Sequence, residues 1–292
     1  MAMVWMLGDT GLKVVETYKY LGAETGKTGR GRWNALMERM LRNIESNLSL
    51  LLYRGGGAGG QAQQAPLRPL FDALRMSEMI AVMREEGLAH GMTLGAEMLP
   101  SDSSSEWRAL LERLYDPTRM AAVVEAEFDQ SFGSTDGAPL LAFFASDLGQ
   151  LILGLELNAR RAFLTDGAEE AARAHYRQEE LAALTEANAK FEAISAYVRA
   201  NDLVEMNVSG GLTASLRFYQ GLAEGGALDM TEAEMVQDVW AGEEETRSDT
   251  KEWVHAFLGL AYRDLTAEEV DTCLVNLRLH DFIHILIASV LR

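Results

Sequence analysis

The chain has 292 residues, 48% of them apolar, which is enough to bury a substantial hydrophobic core. A formal net charge of -18 argues against a general nucleic-acid or anionic-membrane binder, because such proteins need a positive field to displace counterions. With one cysteine, Cys273, no internal disulfide can form.

The first part of the chain differs in composition from the rest. Residues 1–65 carry 8 basic and 5 acidic side chains, whereas the remainder carries 18 basic and 39 acidic ones. Residues 12–21 are rich in β-branched and aromatic types and predict a short strand, and the apolar spacing of residues 33–53 predicts an amphipathic helix. The Gly- and Gln-rich residues 55–65 predict a flexible linker, so we expect an N-terminal segment at 1–54 and a separate domain at 66–292.

Beyond the linker the sequence predicts only helices, separated by turn signals. Because helices this short are marginal alone, their apolar stripes must pack on one another. The expected fold class is therefore all-α, a multi-helix bundle or an array of helical hairpins. The predicted helices are 67–99 with a break near Met76, 103–115, 117–132, 138–164, 167–200, 202–223, 231–241, 243–263 and 266–291.

A weak repeat in the helical part suggests a divergent internal duplication. A polar helix, a Trp-containing helix and a Phe-rich helix recur in the same order. The first set holds Met83, Trp107, Phe143 and Phe144, and the second holds Val198, Trp240, Trp253 and Phe257.

Several predicted helices begin with a capping signal, in which Ser, Thr or Asp is followed three residues later by Glu. Asp116 followed by Pro117 predicts another start, since proline at the first helical position loses no hydrogen bond. The capping pairs are Ser103 with Glu106, Asp166 with Glu169, Thr231 with Glu234, and Thr266 with Glu269.

Neither a membrane span nor an intact signal peptide is expected. No apolar run reaches the roughly 18–20 residues that a bilayer requires. The nearest approach to a signal sequence is Leu48–Tyr53, with Arg39 and Arg42 before it, but it begins far from Met1 and follows Glu45 closely.

One metal-binding pattern is present, His280-Asp281-Phe-Ile-His284. This spacing places two imidazoles on one helix face, with an acid beside the first that can act as base toward a metal-bound water. A metal-dependent hydrolase is therefore one alternative function. No third ligand follows, because the eight residues after His284 include no His, Asp, Glu or Cys.

No cofactor is predicted. The stretch from Gly22 to Thr28 approaches a phosphate-binding loop, but only three residues separate Gly22 from Gly26 where the motif has four. We assign no catalytic residue.

Three stretches together resemble a bacterial family of exported, all-helical proteins of unknown function, as found in alphaproteobacteria. The similarity extends over about residues 67–270 and implies a periplasmic location, with no catalytic residue to transfer. The final segment, Leu274–Arg292, departs from the family pattern. The stretches are Met83–Leu88; Leu141–Gln150 with Leu155, Glu156 and Ala159–Ala162; and Phe218–Gly226 with Asp238–Trp240, Glu252 and Trp253.

The N-terminal part resembles a different family. Val14–Gly22, with Arg32 and Trp33, is similar to the stretch just beyond the palm of retroelement reverse transcriptases. The paired aspartates that hold the metals in that family are absent, so the resemblance implies no polymerase activity. A chimeric chain without a selected function is therefore a further alternative.

The leading expectation is a non-enzymatic binding or interaction module that contacts a protein or small ligand through a groove between helical hairpins. The predicted groove residues are Phe143, Phe144, Arg160 and Trp253. A cleft at these side chains would favour binding, and a filled core would favour a purely structural role.

Overall fold

The structure, a computed structural model, describes residues 67–98, 104–132, 137–224, 226 and 228–276. The N-terminal segment, the linker and the His280–His284 pair therefore lie outside the described residues. The helices are α1 Leu67–Ala73, α2 Met76–Met98, α3 Ser104–Leu114, α4 Pro117–Phe132, α5 Ala138–Phe144, α6 Asp147–Phe163, α7 Ala168–Ala182, α8 Ala189–Ala200, α9 Leu203–Glu224, α10 Glu232–Ala241, α11 Glu243–Ala261 and α12 Ala267–Asn276.

The predicted all-α class is confirmed, because the described ranges contain helices and turns and no strand. The break predicted near Met76 is also present, where Arg75 adopts a positive φ of 55° between α1 and α2. Two segments that were each predicted as one helix are divided into two helices in the structure. The 138–164 segment breaks between α5 and α6, and the 167–200 segment breaks between α7 and α8.

Each missed break coincides with a polar cap. The side chain of Ser146 accepts a hydrogen bond from the Gly149 amide at the start of α6, and Asn188 accepts one from the Phe191 amide at the start of α8. Such residues offer the backbone a partner outside the helix, so a long apolar period can continue across a real break.

Two of the predicted capping boxes are complete. Thr231 and Glu234 exchange both hydrogen bonds at the start of α10, and Thr266 and Glu269 do so before α12. Asp116 caps α4 by accepting from the Arg119 amide at 2.9 Å. The box predicted from Asp166 is wrong, since the N-cap of α7 is Gly167, which has a φ of 77° and no capping side chain. Ser103 lies outside the described residues.

Two long helices organise the packing. Helix α11 contacts α6, α7, α8, α9 and α10, and helix α2 contacts α1, α3, α4 and α6. Helix α6 joins the two groups, and one hydrophobic core extends through both. A smaller cluster built on Tyr219, Leu222 and Met235 lies between α9 and α10.

Helices α2 and α3 approach closely along a row of glycines. Gly87, Gly91 and Gly95 face Tyr115, Leu111 and Trp107 in reverse order, so the two helices run antiparallel. Trp107 Nε1 also donates to the Gly91 carbonyl at 2.7 Å. Small residues four apart form a flat face on α2, against which the large side chains of α3 pack.

The corner between α5 and α6 turns the chain by 70°. A Cβ at Gly149 would lie 2.3 Å from the Phe143 carbonyl oxygen, so only glycine fits there without a backbone shift. Gln150 fixes the corner to the end of α1, because its Nε2 donates to the Ala73 oxygen at 2.7 Å and to the Phe144 oxygen at 2.6 Å.

Candidate functional site

The four residues predicted to line a groove are placed in or against the main core. Phe144, Arg160 and Trp253 are 0%, 3% and 9% exposed, and Phe143 is half-buried. Phe143 and Phe144 meet edge to face at 5.1 Å within the α5–α6 corner. Side chains at this level of burial present little surface to a ligand, so the packing favours a structural role for them.

Arg160 is held by an ion pair inside the protein. Its Nε and Nη2 donate to the two carboxylate oxygens of Glu86 on α2, at 2.7 and 2.5 Å, and its Nη1 lies 3.5 Å from the sulfur of Met79. Such two-pronged arginine–carboxylate contacts are strong and directional. Arg160 therefore joins α6 to α2.

Trp253 belongs to an aromatic cluster between α6 and α11. It stacks on Phe257 with ring centroids 5.2 Å apart, and Phe163 packs edge-on against both rings. Offset-stacked and edge-to-face pairs are the favoured geometries of aromatic rings in a core.

Two other buried polar pairs were not predicted from the sequence. Tyr262 donates to Glu156 Oε1 at 2.5 Å, with both side chains buried. His255 is buried against Tyr176 with ring centroids 5.0 Å apart, and its Nδ1 lies 2.7 Å from the Lys251 carbonyl oxygen. Since a carbonyl only accepts, Nδ1 carries the proton there.

Burial lowers the pKa of His255 below its ordinary value, although the hydrogen bond to the Lys251 carbonyl acts in the opposite direction. The pKa of Tyr176 is raised by desolvation and by the carboxylate of Glu180, to which its hydroxyl donates at 2.8 Å. With Tyr176 and His255 only 5% and 8% exposed, the stacked rings contribute to the packing of α7 against α11.

No metal centre is formed by the described part of the chain, where no three His, Cys, Asp or Glu side chains are gathered around one point. The predicted ligands His280 and His284 lie outside it. The metal-dependent hydrolase therefore stays an untested alternative.

An open groove of about 250 Å³ lies between α9, α10 and the first turns of α11. Its apolar side chains come from α9 and α10, and its three charged side chains are grouped by ion pairs between α9 and α11, whereas Ser209 and Thr213 continue along α9. The lining residues are Val208, Leu212 and Leu216 with Glu205, Ser209 and Thr213 from α9; Val236, Val239 and Trp240 from α10; and Glu243 and Arg247 from α11.

The sequence positions α10 so that this groove opens. The capping box at Thr231 fixes the first turn of α10, and Tyr219 on α9 donates to Asp238 at 2.7 Å. Gly242 then separates α10 from α11 by a single residue, so α10 ends where the chain turns into α11. The hairpin is closed at one end and leaves apolar surface uncovered at the other.

Trp240 is 63% exposed at the last turn of α10, beside this groove. Trp is a residue type enriched at protein–protein interfaces, where its large ring packs into apolar clefts. Its neighbours Val239 and Leu216 are only partly buried and pack against the small α9–α10 cluster.

The polar end of the groove is an ion-pair network with an excess of negative charge. Arg247 on α11 pairs with Glu205 on α9 and with Glu243 one turn earlier, so one guanidinium faces two carboxylates. The surrounding segment, residues 203–249, carries ten Asp and Glu against two Arg. The groove therefore combines an apolar floor with an acidic border.

Sequence reasoning did not single out this groove, although signals for it exist. Val208, Leu212 and Leu216 recur every four residues along α9, and Trp240 lies two residues before Gly242. The sequence pattern does not predict where α10 lies, because its position depends on contacts with α9 and α11.

Among the described helices none alone has the length and apolar content of a bilayer span, although α5 and α6 meet those criteria as a pair bent by 70°. A scan against protein-family profiles and searches of curated proteins and of solved structures found no match to the chain.

Proposed function

We propose that this chain is a non-enzymatic helical binding module whose contact surface is the groove between α9, α10 and α11. The supporting observation is Trp240, which stands 63% exposed beside an apolar cleft of about 250 Å³. The exported, periplasmic type implied by the family resemblance is part of this proposal and rests on that resemblance alone.

The size of the groove favours a polypeptide partner over a small organic ligand. Small-molecule sites usually enclose about 300–1,000 Å³ and bury most of the ligand. This groove is smaller and open to solvent along one side, so it suits a few apolar side chains of a larger molecule. Trp240 is placed to pack along such side chains, as aromatic anchors do at interfaces.

A neutral amphipathic peptide tests the binding surface without involving charge. The probe is a peptide of about 18 residues, five helical turns, with Leu at helical i, i+3, i+4 and i+7 positions and Gln elsewhere. We expect its addition to shift the methyl NMR signals of groove residues such as Val208, Leu212 and Val239, and to leave those of the main core unchanged.

The matched variants are Trp240→Ala and Leu184→Ala. Both remove an exposed apolar side chain, but Leu184, 79% exposed, lies after α7 and outside the groove. We expect Trp240→Ala to weaken binding at least about tenfold, the loss typical of an aromatic anchor, and Leu184→Ala to have no effect. Absence of groove shifts, or equal effects of the two variants, would overturn the proposal.

A further inference from the structure

We propose that the partner of this groove is a basic amphipathic helix. This inference rests on the proposed function, because it specifies what occupies the same surface. The partner would place its apolar face on the α9–α10 floor and its Lys or Arg side chains against the acidic border formed by Glu205 and Glu243.

Charge complementarity identifies the sign of the partner. Glu205 and Glu243 share the single guanidinium of Arg247, so the border has one carboxylate more than it has cations. Glu205 is about half exposed, and the exposed Glu244 follows Glu243 directly on α11. A positive partner is attracted to this end of the groove, whereas a negative one is repelled.

The shape of the floor favours a helix over an extended peptide. Val208, Leu212 and Leu216 form one ridge about 12 Å long on α9, and Val236 with Val239 forms a second on α10. A third helix can place its own side chains between two such ridges. The common mode in which an extended peptide adds to a sheet edge has no site among the described residues, which contain no strand.

Polyproline recognition fits less well, since it uses several aromatic side chains and, among the described residues that line the groove, Trp240 is the only aromatic one. A second copy of the chain is disfavoured because each copy carries a net charge of -18. Nucleic acid is repelled by the same field. A basic helix is the occupant that satisfies both the apolar floor and the acidic border.

The test compares three peptides of one design, with Leu at the same positions and either Lys, Gln or Glu at all others. Binding of the labelled peptides to the full chain is followed by fluorescence anisotropy, at low ionic strength and at about 0.15 M salt. We expect affinity in the order Lys, Gln, Glu, and a preference for Lys over Gln that shrinks with added salt.

Charge-matched variants separate the groove border from the acidity of the whole chain. The double variant Glu205→Gln/Glu243→Gln removes the border carboxylates, and Glu85→Gln/Glu112→Gln removes two exposed carboxylates on α2 and α3. Each exposed ion pair contributes up to about fivefold in affinity, so the border variant should bind the Lys peptide about tenfold more weakly. The distant variant should change it less than about twofold.

The two proposals fail differently in this design. If the Gln peptide binds in a Trp240-dependent way but the Lys peptide gains nothing, or both double variants act alike, the basic partner is wrong and the binding module stands. If no peptide depends on Trp240, the proposed function fails as well. If sedimentation shows a dimer that Trp240→Ala dissociates, the occupant is a second copy and the basic-helix inference is overturned.

Discussion

Arg160 on α6 and Glu86 on α2 form a two-pronged ion pair between the two helices, with Nε to Oε1 at 2.7 Å and Nη2 to Oε2 at 2.5 Å. The arginine is 3% exposed, so its charge is almost removed from water. The glutamate is partly exposed and brings the compensating charge from 74 residues away. The pair therefore holds together the α2 and α11 groups of helices through α6.

Removing the Glu86 carboxylate alone should lower the free energy of unfolding more than replacing both Glu86 and Arg160. Glu86→Ala leaves a buried guanidinium without this partner, and breaking such pairs typically costs about 3–5 kcal/mol. Because Glu86 is partly exposed, we expect the lower end, about 3 kcal/mol, measured by urea denaturation. The double variant Glu86→Leu/Arg160→Met should lose less, since apolar side chains of similar volume replace both charges.

The control for this pair is Glu85→Ala, which removes an exposed carboxylate one residue earlier. It should change the free energy of unfolding by no more than about 0.5 kcal/mol. Equal losses in Glu85→Ala and Glu86→Ala would show that the buried pair has no special role.

Among the glycines whose surroundings the structure describes, Gly149 is the one at which an added Cβ would meet backbone atoms most closely. A Cβ there would meet the Phe143 oxygen at 2.3 Å and the Phe144 Cα at 2.8 Å, and backbone atoms cannot rotate away. We expect Gly149→Ala to destabilise the protein by about 3 kcal/mol, the upper end for overpacking. Thermal or urea unfolding measures the change.

Gly221→Ala is the same substitution at a second glycine, where we expect it to stabilise the protein. Gly221 is inside α9, and a Cβ added there would have no neighbouring atom within 4 Å, so alanine should stabilise the helix by up to about 1 kcal/mol. If both substitutions had the same sign, close approach at the α5–α6 corner would not explain the difference.

Local chemistry predicted much of the fold from the sequence. The Thr231–Glu234 and Thr266–Glu269 caps depend on residues three apart, so tertiary contacts are not needed to recognise them. The α5–α6 break escaped prediction because Leu148 and Leu151 continue an apolar period through it. The corner is decided instead by Ser146, Gly149 and Gln150, whose partners include the distant Ala73.

The proposed binding groove was harder to predict than the helices. Phe144, Arg160 and Trp253 are predicted to line a groove, and the structure buries all three. Aromatic and basic side chains are frequent in binding sites. The same types also fill cores and form buried ion pairs, and residue type alone does not separate the two uses. Trp240 differs from Trp253 chiefly in which neighbours cover it, a property of the packing of α9, α10 and α11.

Arg173 and Arg177 offer a matched comparison of buried and exposed charge one turn apart on α7. Arg173 bonds Glu169 at 2.8 Å and Asp249 at 2.9 Å, and its side chain is 8% exposed, whereas Arg177 bonds Glu252 at 2.7 Å and is about half exposed. We expect Arg173→Met to cost about 2–3 kcal/mol, because it leaves clustered carboxylates without their shared cation.

Arg177→Met should lower the free energy of unfolding less than Arg173→Met does, since exposed ion pairs are largely screened by solvent. Added salt should reduce the Arg177 effect more than the Arg173 effect. Urea denaturation at two salt concentrations measures both. A larger loss for Arg177→Met would contradict the burial argument.

His255 should make stability depend on pH below neutrality. Its ordinary pKa is about 6.5, and burial between α7, α8 and α11 lowers the pKa in the folded chain. The charged groups facing it are Lys251 and Arg199, which lower the pKa further, and Glu180, which raises it. In this window the unfolded chain binds more protons than the folded one.

Stability is therefore fully present above about pH 6.5 and decreases as the pH falls toward the lowered folded pKa. His255→Gln should flatten this decrease, and His175→Gln, which changes an exposed histidine on α7, should not. Urea denaturation between about pH 5 and 7 measures how the free energy of unfolding changes with pH. This pH range lies above the range in which carboxylates such as Glu234 and Glu269 protonate. If the pH dependence of the free energy of unfolding is unchanged in His255→Gln, the protons taken up on unfolding bind to a group other than the buried imidazole.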